Sequence, residues 1–210
     1  VFGTRPEAIK MCPVIKKLKE KSNIICRACL TGQHEEMLNQ VMETFDIKSD
    51  YNLHVMTERQ TLAGVSARIM TGLQEIYEKE KPDVVLVHGD TTSSYIAAVC
   101  AFYQHIPIGH VEAGLRTYQL QSPFPEEFNR QSIDMISDIY FAPTKLAQQQ
   151  LLNEGKNAAH IYVTGNTAID ALKDTIRESY YSSDLEWCKD SRFILLTAHR
   201  RENIGEPMYH

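Results

Sequence analysis

The stretch that decides the fold is Asp83–Arg130, which reads DVVLVHGDTTSSYIAAVCAFYQHIPIGHVEAGLRTYQLQSPFPEEFNR. It contains two apolar runs that are typical of buried strands, Val84–Val87 and Ile106–Val111. Between these runs, Thr91–Tyr103 has the pattern of a helix. A strand, a helix and a second strand in this order predict a parallel βαβ unit.

Both predicted strands end abruptly in polar residues. The first run is followed by His88–Asp90 and the second by Glu112–Gly114. In open parallel sheets, ligands bind outside the carboxyl ends of the strands. Asp90 and Glu112 are therefore predicted to lie where such proteins usually carry out their chemistry.

The rest of the chain continues the alternation of strand-like and helix-like segments. The further helices that the pattern predicts are Glu7–Glu20, His34–Phe45, Gln60–Lys79, Glu126–Ile136, Lys145–Glu154 and Ala168–Arg177. The further strands are Asn23–Leu30, Tyr51–Val55, Asp138–Ala142, His160–Val163 and Arg192–Thr197. This alternation predicts an α/β fold in which a parallel sheet is wound on both faces.

The composition restricts the classes of function. The chain has 22 Lys and Arg against 27 Asp and Glu, and the net charge of −5 argues against a nucleic-acid surface. No apolar run approaches the length that spans a bilayer. The chain does not open on a basic segment followed by an apolar one, as a secretory signal does. We therefore expect a soluble, cytoplasmic protein without a membrane or nucleic-acid partner.

The five cysteines favour reduced thiols, because the count is odd and no secretory signal is evident. Cys26 and Cys29 form a CxxC motif, which elsewhere serves as half of a zinc site or as a redox pair. Here the motif lies in an apolar strand pattern, where residues three apart point to opposite faces. No second CxxC and no nearby Cys/His pair completes a tetrahedral site. The sequence thus predicts neither a metal nor a redox role.

Both ends of the sequence suggest a fragment of a longer protein. Val1-Phe2 leads straight into the turn Gly3–Glu7, as if a strand began earlier, and the apolar run Arg192–Thr197 lies close to the last residue. The segment Glu178–Ser191 has no clear period and is interpreted as a connector. We predict an N-terminal domain over residues 1–165. Residues 166–210 are predicted to form a hinge and the first strand of a truncated second domain.

Four polar turns that contain glycine are predicted to open on one edge of the sheet. They are Gly3–Arg5, His88–Asp90, Glu112–Arg116 and Gly165–Thr167. The amide groups of the helix after the first turn, with Arg5 and Lys10 nearby, favour an anion site, although both cations also suit solvated positions. Glu126 and Glu127 begin a later helix, where acids are ordinary dipole partners. The joint position of the turns predicts a site for a small molecule.

Seven motifs along the chain are together similar to one family. In order they are GTRPEAIKM, GQHEEML, PDVVLVHGDTTSS, IPIGHVEAGLRT, PEEFNR, TGNTAIDAL and AHRREN. The sequence resembles the non-hydrolysing UDP-N-acetylglucosamine 2-epimerases of bacteria. The resemblance implies two Rossmann-like domains in a GT-B-like arrangement, of which this chain is the N-terminal half, and a homodimer. It also implies interconversion of UDP-GlcNAc and UDP-ManNAc without a cofactor or a metal, supplying ManNAc for bacterial surface polysaccharide.

The resemblance further implies roles for individual residues. Those implied to be catalytic are Asp90, Glu112, Glu126 and His199. Those implied to bind the substrate are Arg5 and Lys10. Those implied to form a regulatory UDP-GlcNAc site are Gln33, His34 and Arg59. His88 and His110 precede two of the acids, and they either support these acids or are satisfied by the backbone.

The chemistry of this family explains why acids would cluster. The C2 proton of the sugar becomes acidic when UDP leaves C1, so elimination and re-addition of UDP require acid and base groups and cations for the diphosphate. The family binds UDP largely through a Ser-Gly-Gly segment that has no counterpart in this sequence. We therefore expect the 210-residue chain alone to bind UDP weakly and not to turn over. The alternatives are a hydrolysing 2-epimerase, a GT-B glycosyltransferase and a non-catalytic nucleotide-sugar sensor.

Overall fold

The computed structural model of the chain describes residues 1–32, 35–56, 61–177, 179–194 and 196, with the backbone alone at 35–37. The chain divides into two compact units, Val1–Thr175 and Ile176–His210. Asp90 and Glu112, the acidic residues that follow the two predicted strands, both lie in the first unit.

The first unit alternates strands and helices, as the sequence predicts. Its helices are α1 (Arg5–Lys19), α2 (Glu35–Thr44), α3 (Leu62–Glu80), α4 (Thr92–Tyr103), α5 (Glu126–Ile136), α6 (Lys145–Asn153) and α7 (Thr167–Thr175). Its strands are β1 (Cys29–Leu30), β2 (Tyr51–Asn52), β3 (Val85–His88), β4 (Ile108–Val111), β5 (Ile139–Ala142) and β6 (Ile161–Val163). None of the described helices is long and apolar enough to cross a membrane.

The strands pair in parallel, and their order reverses beside the first residues of the chain. β3, β4, β5 and β6 are neighbours in that order, while β1 pairs with β2. Phe2 bridges Leu30 of β1, and the amino nitrogen of Val1 donates to the carbonyl of Leu86 in β3 at 2.8 Å. The first residues therefore lie between β1 and β3. This order is that of a doubly wound sheet, with its switch point between Phe2 and β3.

Helices cover both faces of the sheet. Alternate residues of β3 show the division, because Val85 and Val87 enter one core cluster and Leu86 packs against another. The first cluster joins the sheet to α3 and α4, and Leu73 is one of its fully buried members. The second joins Phe2 to α1, α2 and α7. The prediction of an α/β fold with a doubly wound parallel sheet is confirmed.

The predicted strand Asn23–Leu30 is wrong over most of its length. Only Cys29–Leu30 pair, with Tyr51–Asn52 on one side and Phe2 on the other. Earlier in the same run, Ile25 is 86 % exposed. An apolar pattern predicts that a segment suits a strand, but the number of paired residues depends on the strands beside it. Here the described neighbours pair with two residues of the run.

The first unit extends past residue 165, the predicted domain boundary. Helix α7 packs on α1, where Ala171 is buried in the shared core and Lys16 Nζ lies 3.4 Å from Asp174 Oδ2. These contacts make α7 part of the first unit. In the second unit, the segment interpreted as a connector contains the short helix α8 (Ser183–Cys188), which Ser182 caps.

The strand predicted at Arg192–Thr197 is not formed by the residues of this run that the structure describes, which are 192–194 and 196. Ile194 is 95 % exposed and Leu196 is 83 % exposed. An apolar run is held as a strand by backbone hydrogen bonds to a neighbouring strand, and the described part of this unit provides none. Since residues up to Thr175 belong to the first unit, the assignment to a hinge and a second domain stays a prediction only for the remainder of residues 166–210.

Candidate active site at the switch point of the sheet

The turn after Phe2 packs tightly against the neighbouring elements at the switch point. A Cβ atom on Gly3 would lie 2.0 Å from Thr31 Oγ1 and 2.5 Å from Ser93 Oγ. These two hydroxyl oxygens are 2.8 Å apart in a buried contact. Because only glycine fits here, the first turn of α1 can approach the start of α4 closely.

Glu7 ties the start of α1 to the start of α4. Its Oε2 accepts hydrogen bonds from the backbone N–H groups of Gly3 at 3.0 Å and Thr4 at 2.7 Å. Its Oε1 accepts from Thr91 Oγ1 at 2.8 Å and from Ser94 Oγ at 2.7 Å. The spacing of Thr4 and Glu7 is that of a capping box, a signal present in the sequence. The second pair of contacts comes from the fold, and sequence reasoning missed it.

Asp90 follows β3 and is held by two residues of α5. Arg130 Nη2 lies 2.6 Å from Asp90 Oδ2, and Asn129 Nδ2 donates to the Asp90 carbonyl at 2.8 Å. Burial raises the pKa of Asp90, and the charges of Glu126 and Glu112 raise it further while Arg130 opposes them. A carboxyl group in these surroundings keeps its proton to a higher pH than a solvated carboxyl group does.

Glu112 follows β4 and meets different partners. Lys10 Nζ lies 2.5 Å from Glu112 Oε1, which brings a predicted substrate-binding cation onto a predicted catalytic acid. The backbone of Glu112 has φ +70°, a left-handed conformation that is uncommon for a residue with a long side chain. Its N–H donates to the carbonyl of Phe141 at 3.0 Å, so pairing with β5 holds this conformation. Left-handed backbone at a non-glycine residue is frequent at functional sites.

His88 lies beside Glu112 as a buried, neutral ring. It is 3 % exposed, and its Nε2 is 3.6 Å from Glu112 Oε2, which is too long for a hydrogen bond. Neither ring nitrogen has a hydrogen-bond partner among the described residues. Burial, with the nearby charges of Lys10 and His110, lowers the pKa of His88 to about 3. A buried ring beside a carboxylate, with neither nitrogen partnered by a described residue, leaves its hydrogen-bonding capacity unused at this strand end.

The two acids at the start of α5 differ in their environment. Glu126 is half-buried, and its charge acts on Asp90. Glu127 is fully buried, and its Oε1 accepts from the N–H of Tyr118 at 2.9 Å and from Gln131 Nε2 at 2.7 Å. Although burial opposes it, these hydrogen bonds lower the pKa of Glu127. Glu127 thus anchors the loop before α5, a role that the sequence did not reveal.

The structure brings together four of the predicted site residues: Asp90, Glu112, Glu126 and Lys10. Arg5 is exposed in the first turn of α1 and lines a groove of about 400 Å³ between α1, α2 and α7. His199 and the predicted regulatory residues Gln33, His34 and Arg59 lie outside the described residues. In the part of the chain that the structure describes, no three His, Cys, Asp or Glu side chains are grouped as metal ligands, and the five thiols are free.

The fold and these groups define a doubly wound α/β domain with a cluster of carboxyl groups and cations beside its switch point. The chain belongs to the UDP-N-acetylglucosamine 2-epimerase family, whose model matches residues 16–210. The UDP-N-acetylglucosamine 2-epimerase of Bacillus subtilis (strain 168) is 53 % identical over 208 residues, which are 99 % of this chain and 55 % of that protein.

Solved structures of relatives are also similar to this chain in fold and sequence. The S. aureus protein MnaA, in its structure with UDP, has a TM-score of 0.91 and 50 % identity, over 99 % of this chain and 55 % of that one. The UDP-GlcNAc 2-epimerase of Neisseria meningitidis, bound to UDP-GlcNAc, has a TM-score of 0.79 and 48 % identity, over 90 % of this chain and 49 % of that one. The chain therefore spans about half the length of these relatives, as expected for one half of a GT-B-like enzyme.

Proposed function

We propose that the protein is an epimerase that interconverts UDP-GlcNAc and UDP-ManNAc at C2 of the sugar. The observation that carries this proposal is the pair of carboxyl groups at neighbouring strand exits, Asp90 beside Arg130 and Glu112 beside Lys10. Membership of the 2-epimerase family supports it, as do relatives whose structures hold UDP or UDP-GlcNAc. The proposal includes a cytoplasmic homodimer that supplies ManNAc for bacterial surface polysaccharide.

The reaction requires proton transfer at a carbon that is not next to a carbonyl. When the C1–O bond to UDP breaks, its electron pair leaves with UDP, and positive charge at C1 makes the C2 proton acidic. A base removes that proton to give a glycal, and UDP adds back while C2 receives a proton on the other face. The sequence of steps is redox-neutral. General acid–base groups of this kind contribute about 10²–10⁴-fold each.

The geometry supports unequal roles for the two carboxyl groups. Asp90, whose pKa burial raises, is the group suited to donate a proton, whereas Glu112, in an ion pair with Lys10, is suited to accept one. Glu126 supports Asp90 through its charge. Lys10 is also a cation for the diphosphate. For Arg5 and His199 we propose contacts with the diphosphate or the sugar, and for Gln33, His34 and Arg59 a regulatory UDP-GlcNAc site.

Incubation of the complete protein with UDP-GlcNAc in D₂O tests the reaction class. Elimination and re-addition predicts deuterium at C2 of UDP-ManNAc and of the recovered UDP-GlcNAc, with no free sugar, as measured by NMR. Accumulation of free ManNAc and UDP would identify a hydrolysing enzyme instead. Consumption only in the presence of a sugar acceptor would identify a glycosyltransferase, and binding without C2 exchange would identify a sensor.

The 210-residue chain provides a separate test of where UDP is held. We expect this chain alone to bind UDP weakly and to form no UDP-ManNAc, because the family binds the nucleotide largely outside the matched half. Titration calorimetry with UDP and a coupled UDP-ManNAc assay measure both properties. Appreciable epimerisation by this chain would refute the expectation while leaving the proposed reaction intact.

A further inference from the structure

A fully buried histidine, His110 in β4, lies directly behind the two carboxyl groups. Its side chain is 0 % exposed. Its Nδ1 is 2.6 Å from Asp134 Oδ1 on α5, and its Nε2 is 2.7 Å from the carbonyl oxygen of Gly89. Both ring nitrogens are thus within hydrogen-bond distance of an oxygen atom, in contrast to those of His88.

The partners of His110 decide how many protons its ring carries. The carbonyl of Gly89 can only accept a hydrogen bond, so Nε2 must be the donor. The other oxygen of Asp134 accepts from the N–H of Gly114 at 3.1 Å and lies 2.7 Å from Arg116 Nη2, which is typical of an ionised carboxylate.

A neutral imidazole has a single N–H group. In one of these two contacts the ring nitrogen and the oxygen atom would therefore both be acceptors, with no proton between them. Two acceptors at 2.6 and 2.7 Å repel one another in a site without water. We propose that His110 is a buried imidazolium that carries protons on both ring nitrogens and positions the Asp90 turn of the active site. The active-site part of this statement rests on the proposed function, whereas the protonation state does not.

The contact with Gly89 explains how His110 acts on the turn. Gly89 immediately precedes Asp90 and has φ +65°, and its N–H donates to the carbonyl of Val111 in β4. His110 fixes the carbonyl of Gly89, and Asn129 fixes the carbonyl of Asp90. Both peptide groups that flank the Cα of Asp90 are therefore held. The charge of His110 also lowers the pKa of Asp90, against the effect of burial.

Several charged or titratable groups surround His110 and take part in any pH effect. They are His88 and Asp90 at the exit of β3, Glu112 at the exit of β4, Asp134 on α5, and Arg116 in the following loop with its partner Glu154 on α6. The side chains of Asp134 and Arg116 are buried with that of His110. With an imidazolium at His110, negative and positive charges alternate from Glu154 through Arg116 and Asp134 to His110. The second proton therefore neutralises a carboxylate that is out of contact with water.

NMR of the chain labelled with ¹⁵N-histidine tests the protonation state without reference to activity. We expect one of the eight histidines to show two N–H-bearing ring nitrogens at pH 7 and to keep both at pH 8. Loss of this signal in His110→Gln assigns it, and through-bond correlation to the His110 backbone assigns it should that variant not fold. A single protonated nitrogen on His110, with the second proton on Asp134, would overturn the proposal.

Kinetics of the complete enzyme test the positioning role. With His110→Gln, we expect kcat to fall roughly tenfold to a hundredfold through misplacement of Asp90. The alkaline limb of kcat/KM, which reports loss of the proton that Asp90 donates, should move up by about one pH unit, since a nearby positive charge that lowers the pKa of Asp90 has been removed. The control is His160→Gln, at an exposed histidine before β6. A loss of kcat with an unmoved alkaline limb would overturn the electrostatic role. If the wild-type enzyme shows no C2 exchange, the proposed function fails and the NMR result still decides the state of His110.

Discussion

The exits of β3 and β4 carry the same kind of residue in opposite surroundings. Asp90 is half-buried, and burial together with the nearby acids raises its pKa, while Arg130 forms an ion pair with it. Glu112 has a left-handed backbone, an ion pair with Lys10 and a neutral histidine beside it. Two carboxyl groups at one edge are thereby distinguished by their neighbours. Such a difference is how one site can hold a proton donor and a proton acceptor at the same pH.

Substitution of Asp90 by Asn should give the largest effect. The amide keeps the shape but cannot transfer a proton, so we expect kcat for UDP-ManNAc formation by the complete enzyme to fall by at least about 100-fold. Asp83→Asn is the matched control, because Asp83 is an exposed acid at the opposite end of β3. Retained activity in the Asp90 variant would mean that Asp90 is not the proton donor. The acid and base roles would then not be divided between Asp90 and Glu112.

Substitution of Lys10 by Met tests the other exit. Lys10 is partly buried and contacts Glu112, and it is also a proposed cation for the diphosphate. We expect a loss of about tenfold in kcat/KM, shared between kcat and KM, because a charge-assisted contact worth about 1.5–3 kcal/mol is only partly replaced by water. Lys17→Met is the control, since Lys17 forms an exposed pair with Glu20 on the same helix. An unchanged kcat/KM would separate Lys10 from the chemistry at Glu112.

The sequence predicted the positions of the two exits but not the difference between them. HGD and HVE each place a histidine and an acid at the end of a strand, and nothing local distinguishes His88 from His110. The difference arises because Asp134, on a later helix, reaches one ring and no described residue reaches the other. The contacts of Glu7 with α4 likewise depend on the packing at Gly3. Periodicity determines which residues face the core, whereas protonation depends on neighbours that only the fold brings close.

The pH dependence of stability gives the smallest expected effect and separates the two exits through His88. Its pKa in the folded chain is lowered from 6.5 to about 3 by burial and nearby positive charge. Between these values the unfolded chain binds a proton at this residue and the folded chain does not, so the free energy of unfolding falls as the pH falls. This contribution is fully present above pH 6.5. Its loss is about 1.4 kcal/mol per pH unit below that, or about 2 kcal/mol at pH 5.

Urea unfolding of the wild-type chain and of His88→Gln at pH 7 and pH 5 measures this contribution. Other groups titrate alike in both chains and cancel in the difference, so the variant should lose about 2 kcal/mol less between the two pH values. His160→Gln should behave as the wild type does, because that ring is exposed in both states. Equal losses in wild type and variant would mean that His88 takes up a proton in the folded chain. His88 would then be a cation 3.6 Å from Glu112, which would have two cationic neighbours, His88 and Lys10, against Arg130 alone in an ion pair with Asp90. The contrast between Asp90 and Glu112 would in that case be larger in charge and would not include a neutral histidine.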